Sequence, residues 1–446
     1  MVWLSRVDCR GSARIFGARL QSESYARYAL GMLLLVYTFN FIDRIILGIL
    51  VPPIKAELHL TDTELGLLGG TAFALFYTGL GVPIGWLADR VNRVWIIAIS
   101  LSLWSAFSAS TGLSHSFIQL FIARLGVGIG EAGGVAPAYS VISDYFPPAR
   151  RARALAIYSF GIPIGSAAGL LFGGLIAATV SWRVAFIVVG ALGLILAPAF
   201  GYTVREPARG GLDAAARARP IPKLRQVAAL LAGKISFWSL SLGGAASSVM
   251  GYGTFFWLPS FFVRSYHLSL SQVSWYLGTI TLVGGVTGIW LGGFLADRLG
   301  TRSRSAYALV PAGAFALTIP LYALGVLAPP SVWTLPLFLL PIALALAWLG
   351  PTICAVQHLV PPDMRALASA LFLFINNLIG LGLGTVLIGR LSDHFAGQYG
   401  SDSLRYAILS GTGFYLIAAL LFVIAARHLS REWQEHDPHA ASASAL

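Results

Sequence analysis

The sequence predicts an all-α polytopic membrane protein, with twelve transmembrane helices in two pseudo-symmetric six-helix bundles. Three observations carry that prediction: the composition, the placement of the basic residues and an internal repeat. Of 446 residues, 57% are hydrophobic and 11% charged, with a mean hydropathy of +0.76. Soluble domains hold about 45–50% apolar and about 25% charged residues. A bilayer crossing takes roughly 20 apolar residues, so this apolar content suffices for about twelve.

Taken in order, apolar runs fall near 27–51, 65–88, 94–113, 116–142, 153–179 and 183–203, then near 236–262, 271–296, 305–327, 333–357, 366–390 and 404–428. Residues 1–26 read as a cytoplasmic tail, 27–203 as the first bundle and 204–235 as the polar joint. Residues 236–428 read as the second bundle and 429–446 as a cytoplasmic C-terminal tail. Arg6, Arg10 and Arg14 recur at four-residue spacing, which suits a basic stripe on a surface helix. A disordered tail is the simpler reading. No continuous apolar segment precedes residue 27, so a cleaved signal peptide is not expected. Cys9 and Cys354 are the only cysteines and give no disulfide framework.

Placing the N-terminus in the cytoplasm puts 23 of the 30 Lys and Arg on the cytoplasmic side and five outside, with Arg44 and Arg124 inside spans. That asymmetry obeys the positive-inside rule and makes both termini cytoplasmic. The net charge of +12 then points to anionic membrane lipids rather than nucleic acid, which needs a soluble basic face. Lysine occurs only at 55, 223 and 234. That arginine bias suggests a bacterial source, and hence the inner membrane.

The repeat decides the architecture. GWLADRVNR (Gly85 to Arg93) and GFLADRLGTR (Gly293 to Arg302) are offset by 208 residues, and PPARRA (from Pro147) and PPDMRA (from Pro361) by 214. Two such matches imply two homologous halves, the arrangement of alternating-access transporters.

The G-x-L-A-D-R-x-x-R pattern after spans 2 and 8 resembles the major facilitator superfamily. That resemblance implies a conformational latch at Asp89, Arg90, Arg93, Asp297 and Arg298, closed in the outward-facing state. Narrower stretches resemble the Spinster branch: NFIDR (Asn40 to Arg44), ELGLL (Glu64 to Leu68) and RLGVGIGEAG (Arg124 to Gly133). The branch implies a monomeric carrier of lysolipids or sphingoid phosphates linked to protons, with Arg44 at the site.

Charges at membrane depth are the informative residues, because each is costly unless paired or hydrated. At 1.5 Å per residue, Asp43 and Arg124 lie about 10 Å and about 12 Å below the outer surface, so they are level and can pair. Glu131, seven residues on, sits roughly 10 Å deeper with no basic partner expected at its level. Burial disfavours the charged form of such a carboxylate, so it can load and release a proton. Glu131, with Asp43 and Arg124, is therefore the expected proton-coupling set. Arg44, Arg124 and Glu131 are expected to bind substrate, joined from the second half by Tyr252, Phe255, Thr279, Asn376 and Asn377. With no second-half counterpart of Arg124 or Glu131, the cavity suits an amphiphile: head on spans 1 and 4, tail on spans 7 to 11. Asp393 and His394 are expected in a wet outer loop.

Gly128, Gly130 and Gly133 form a G-x-G-x-x-G that follows no strand, so it is not a nucleotide site. Gly126/Gly130/Gly134 and Gly284/Gly288/Gly292 read as close-packing faces, and Gly161/Gly165/Gly169/Gly173 as one packed on the facing half. No catalytic or metal motif occurs, so neither an enzyme nor a cofactor is expected. The favoured function is proton-coupled transport of a lysolipid-like amphipathic anion. The alternatives are a proton-linked symporter of small organic anions or sugar acids, and a lipid-binding receptor that does not transport.

Overall fold

The computed structural model describes residues 9–88, 90–209, 224–331, 333–361 and 364–434, and these are helical almost throughout. In the first half, α1 (Cys9–Leu58) is followed by α2 (Asp62–Gly69) and α3 (Thr71–Ala88), which meet at Gly70. Then come α4 (Arg93–Thr111), α5 (Phe117–Glu131), α6 (Val135–Tyr145), α7 (Pro148–Ser159), α8 (Gly161–Thr179) and α9 (Trp182–Thr203). The second half holds α10 (Leu224–Ala232), α11 (Ile235–Ser265), α12 (Leu270–Gly300), α13 (Ala306–Leu327), α14 (Thr334–Leu346) and α15 (Leu349–Gln357). It ends with α16 (Arg365–Tyr399), α17 (Ser403–Gly411) and α18 (Gly413–Glu432).

Among the described residues, ten helical stretches are long and apolar enough to cross a bilayer. Counting the bent pair α10 and α11, which meet at 96°, makes eleven. Twelve were expected; the count falls short because Leu367–Glu432 runs on as one 66-residue stretch. Two boundaries also differ from the sequence reading. Helix α1 starts at Cys9, so it runs through much of the expected tail. The joint is helical over Leu224–Ala232, because Val227 and Leu231, one turn apart, are both buried.

The internal symmetry extends beyond the two sequence matches. His59 and His267, 208 residues apart, both adopt φ 54°. Histidine is among the non-glycine residues that tolerate this left-handed region. Each is followed by a capping box, Thr61 with Glu64 and Ser269 with Gln272. The same turn therefore starts α2 and α12, and reciprocal bonds satisfy two exposed backbone N–H groups in each.

Small residues set the helix spacing. Gly126 and Gly130 of α5 lie on Phe107 and Trp104 of α4, and Gly288 and Gly292 of α12 on the carbonyls of Ala343 and Ala347. The Gly161–Gly173 face of α8, however, packs on Tyr37, Thr38, Ile42 and Ile46 of α1 in its own half. Its neighbour Gly174 meets Ser274 of the other half instead. A glycine stripe encodes close approach without naming the partner.

Contacts between the halves lie toward one face, the one bearing Asp62. There the Gly66 carbonyl accepts from Thr385 Oγ1 at 2.7 Å, and Thr71 Oγ1 donates to the Gly382 carbonyl at 2.7 Å. Phe256 fills the space above Gly48 and Gly69. Between α8 and α12 the contacts pass from Gly174–Ser274 to Pro163–Gly285. Toward the opposite face, which bears Arg93, side-chain positions built at Gly79, Gly81, Gly85 and Gly293 meet no atom within 4 Å. Gly288 gives a direct test, since a Cβ there would lie 2.0 Å from the Ala343 carbonyl oxygen. Gly288→Leu is expected to destabilise by about 1–3 kcal/mol, the usual effect of overpacking. A thermal melt in detergent should show a lowered midpoint for Gly288→Leu, with Gly293→Leu close to wild type.

Candidate functional site

The buried charges of α1 and α5 meet in the interior of the first half. Arg44 donates to Glu131 Oε2 from Nη2 at 2.6 Å and from Nε at 3.2 Å. Its Nη2 also reaches Asn40 Oδ1, one turn away, at 3.4 Å. Three rings surround the guanidinium: Phe41, Phe73 and Tyr77 lie with centroids 5.0, 4.8 and 4.7 Å from Cζ. Such rings stabilise a cation that has lost water. Glu131 is fully buried in the last turn of α5, just before the break at 132–134 that starts α6.

This corrects the expected pairing. Glu131 has a basic partner, and that partner is Arg44. Asp43 turns toward α4, where Ser108 Oγ donates to its Oδ1. Its Oδ2 has no hydrogen-bond partner, and Asp43 lines a narrow gap with Phe39, Trp104, Ser105, Ser108, Val189 and Gly190. Arg124 is buried beside the Phe73 ring, and its Nε and Nη1 have no hydrogen-bond partner. Depth put Asp43 opposite Arg124, and each is the other's leading opposite charge although they form no direct ion pair; two further constraints decide the hydrogen-bonded contacts. Adjacent helical residues point about 100° apart, so Asp43 and Arg44 face different neighbours. Helical side chains also lean toward the N-terminus, which carries the long Arg44 arm down α1 to the level of Glu131.

The second-half candidates divide. Tyr252 of α11 and Leu381 of α16 pack against the first half's core, so Tyr252 does reach the site's side of the interface. Phe255 is half-buried on the same helix. Asn376 is buried and accepts from Ser248 Oγ at 2.9 Å, a bond inside the second half; Asn377 is half-buried. Thr279 does not belong with them. It lies on the exposed stripe of α12 with Trp275, Val286 and Trp290, spaced as one helix face.

The expected latch residues make no bond across the halves among those described. Asp89 lies outside the described residues. Arg90 donates to the Trp86 carbonyl at 2.9 Å and stacks on the Trp86 ring. Arg93 bridges Asp144 Oδ2 at 2.5 Å and Glu206 Oε1 at 2.6 Å, both in its own half. Asp297 accepts from Tyr307 Oη at 3.0 Å, and Arg298 is exposed.

At the Asp62 face an ionic clasp, absent from the sequence reading, joins the halves. Arg264 of α11 donates to Asp62 Oδ2 and Oδ1 at 2.6 and 2.7 Å. Lys55 reaches Oδ1 at 2.6 Å, and Ser392 Oγ donates to Oδ2 at 2.7 Å. Asp393 accepts from the backbone N–H of Asp62 at 3.0 Å and of Thr63 at 2.7 Å, so a second-half carboxylate caps the N-terminus of α2. It is no wet-loop residue. The available signal was an acid at the start of one run and an arginine at the end of another; nothing in the sequence pairs them. Among the described residues no group of His, Cys, Asp or Glu is placed to hold a metal ion.

Paired helix repeats, a clasp at one face and buried charges in one half define a membrane transport protein. The Major Facilitator Superfamily model matches residues 33–385, and the chain belongs to that superfamily, in its Spinster branch. It is 33% identical to an MFS-type efflux pump of Mycolicibacterium smegmatis, over 91% of this chain and 93% of the relative. A bacterial homologue of the human lysosomal transporter Spinster, solved inward-facing and unoccupied, matches with TM-score 0.86 and 31% identity. That match covers 93% of this chain and 99% of the other. The occupied inward-facing form matches with TM-score 0.84, 31% identity and the same coverage. Membership places the chain among integral membrane transporters rather than enzymes.

The clasp carries a prediction. Arg264→Ala removes the bidentate partner that Asp62 has across the halves and leaves Lys55 and Ser392 on it, so the expected loss is about 1.5–3 kcal/mol, that of hydrogen bonds to a charged group. Spin labels at exposed Leu113 and Gln398, one in each half near the Asp62 face, should report a distance distribution shifted to longer values. An unchanged distribution would mean that the clasp does not hold this face shut.

Proposed function

We propose that the chain is a proton-coupled transporter that works by alternating access and moves a lysolipid-like amphipathic anion. The observation that carries this reading is the buried Arg44–Glu131 pair at 2.6 Å, beside an Arg124 with unpartnered donors. When Glu131 takes up a proton it ceases to hold Arg44. The two guanidinium groups then share Asp43 as their remaining counter-charge, which leaves one positive charge in excess, and an anionic head replaces the carboxylate. Arginine suits a phosphate head because its planar fork can bind two oxygens at once. The half-buried Tyr252 and Phe255 and the apolar second half accept the tail.

Twelve crossings fit the helices best. The 66-residue stretch counted as one is about 100 Å of helix, far more than one bilayer. It is interrupted at Gly400, whose φ of 55° ends α16 and allows α18 to return. The positive-inside distribution assigns the Arg93 face to the cytoplasm, and with it both termini. Closure at the Asp62 face then makes this the inward-facing conformation, the state of the two homologue structures.

Proteoliposomes test the reading. Lysophospholipid flux by wild type should rise with an imposed pH gradient, and Glu131→Gln, whose amide cannot take up the proton, should lose that stimulated part. Flux that ignores the gradient and survives Glu131→Gln would leave a facilitator without coupling. Flux of small organic anions in place of lysolipid would favour a symporter. Lysolipid binding without flux would make the protein a receptor.

A further inference from the structure

The cytoplasmic ends of the two halves are braced by different chemistry at positions related by the repeat. In the first half Arg93, in the first turn of α4, joins Asp144 and Glu206, and the latter lies just past α9. The 214-residue offset that relates Pro147 to Pro361 carries Asp144 onto His358. Tyr307 occupies the first turn of α13, and Trp433 follows α18 directly. These three stack. Trp433 lies 4.3 Å from His358 at 10° and 5.3 Å from Tyr307 at 29°. Arg304 sits 5.4 Å over the Trp433 ring.

The segment is anchored on both sides of Trp433. Glu432 accepts from the backbone N–H of Ile235 at 3.2 Å and of Ser236 at 3.1 Å, capping α11. The Gln434 N–H donates to the His358 carbonyl at 2.8 Å. The far end of this chain of contacts is the second copy of the repeat motif, where Tyr307 Oη donates to Asp297 Oδ1 at 3.0 Å. Asp297 is one of the residues that the latch needs in the outward-facing state. Here one of its oxygens is taken by a hydroxyl whose ring rests on Trp433.

We propose that Glu432–Gln434 acts as a strap: Trp433 props Tyr307 against Asp297 and so keeps the second latch motif disengaged while the cytoplasmic side is open. The strap rests on the latch reading of Asp297. It makes the C-terminal segment a conformational control on the second half, with no counterpart in the ionic clamp of the first. Releasing Trp433 frees Tyr307 to turn away, returns the Asp297 carboxylate to the latch and shifts the equilibrium toward cytoplasmic closure.

Full-length protein in nanodiscs tests this, with exposed Arg153 and Ser303, both outside the repeat motifs, each replaced by a ketone-bearing p-acetylphenylalanine for spin labelling, leaving both natural cysteines in place. Trp433→Ala should raise the short-distance, cytoplasm-closed population roughly three- to tenfold, the factor expected for losing one stacked aromatic pair. Trp433→Phe, which keeps a ring, should stay near wild type. Tyr307→Phe, which keeps its ring but loses the hydroxyl, should reproduce the rise, and it serves if Trp433→Ala folds poorly. In an Asp297→Asn background neither substitution should act. A rise that persists there overturns the route through Asp297, and no rise from Tyr307→Phe overturns the strap. If Asp297→Asn alone leaves the closed population unchanged, the latch reading fails instead.

Discussion

An ionic charge held away from water must be answered by another charge, and that constraint organises the first half. Asp43, Arg44, Arg124 and Glu131 are all buried or nearly so, and their formal charges sum to zero. Their neutrality lets four ionisable groups stay inside an apolar bundle. The helices are spaced to bring them together. Gly128 of α5 lies against the Phe73 carbonyl, Gly130 against the Trp104 backbone, and Phe73 in turn faces both arginines. Larger residues at Gly128 and Gly130, which face α3 and α4 respectively, would push those helices away and open the ring cage.

The second constraint is that two similar halves must meet at one face and part at the other. At the Asp62 face the meeting is ionic and crosses the halves, with Asp62 shared by Arg264, Lys55 and Ser392. At the Arg93 face each half is braced within itself, by salt bridges in one and stacked rings in the other. A body that rocks needs both features. Each half stays rigid at the end that opens, while the contacts that break lie together at the end that is closed.

Much of this was legible in the sequence, for physical reasons that can be named. Hydropathy and arginine placement report the membrane directly, because burial of backbone in lipid admits only continuous helices. The 208-residue repeat of Gly85 in Gly293 gave the two halves, and the structure extends it to His59 and His267. Depth along a helix is also readable and puts Asp43, Arg124 and Glu131 at membrane depth, but it left Glu131 without the basic partner that Arg44 supplies. Azimuth was not readable. Asp43 met Ser108 and Glu131 met Arg44 because rotation about α1 and side-chain lean decide partners, and both depend on how α1 packs on α8. The same blindness put Thr279 in the cavity and the α8 glycines on the wrong half. The Asp62–Arg264 clasp was invisible for a different reason: its members are 202 residues apart and each is unremarkable alone.

The arrangement of unpartnered atoms supports the proposal that the first half holds the chemistry while the second supplies shape. Glu131 Oε1, Asp43 Oδ2, Asn40 Nδ2 and two nitrogens of Arg124 are buried without hydrogen-bond partners. A fully satisfied network would be rigid, since each exchange would strand a charge. This one has acceptors and donors in reserve. In the exchange proposed above, a proton on Glu131 and an anion on the arginines would compensate one another with little change in buried charge. The second half lays Tyr252 and Leu381 against the first half's core, and that contact is where it would feel the proposed exchange. Coupling by contact between a charged half and an apolar half needs no matching acid in α11, and none is present there.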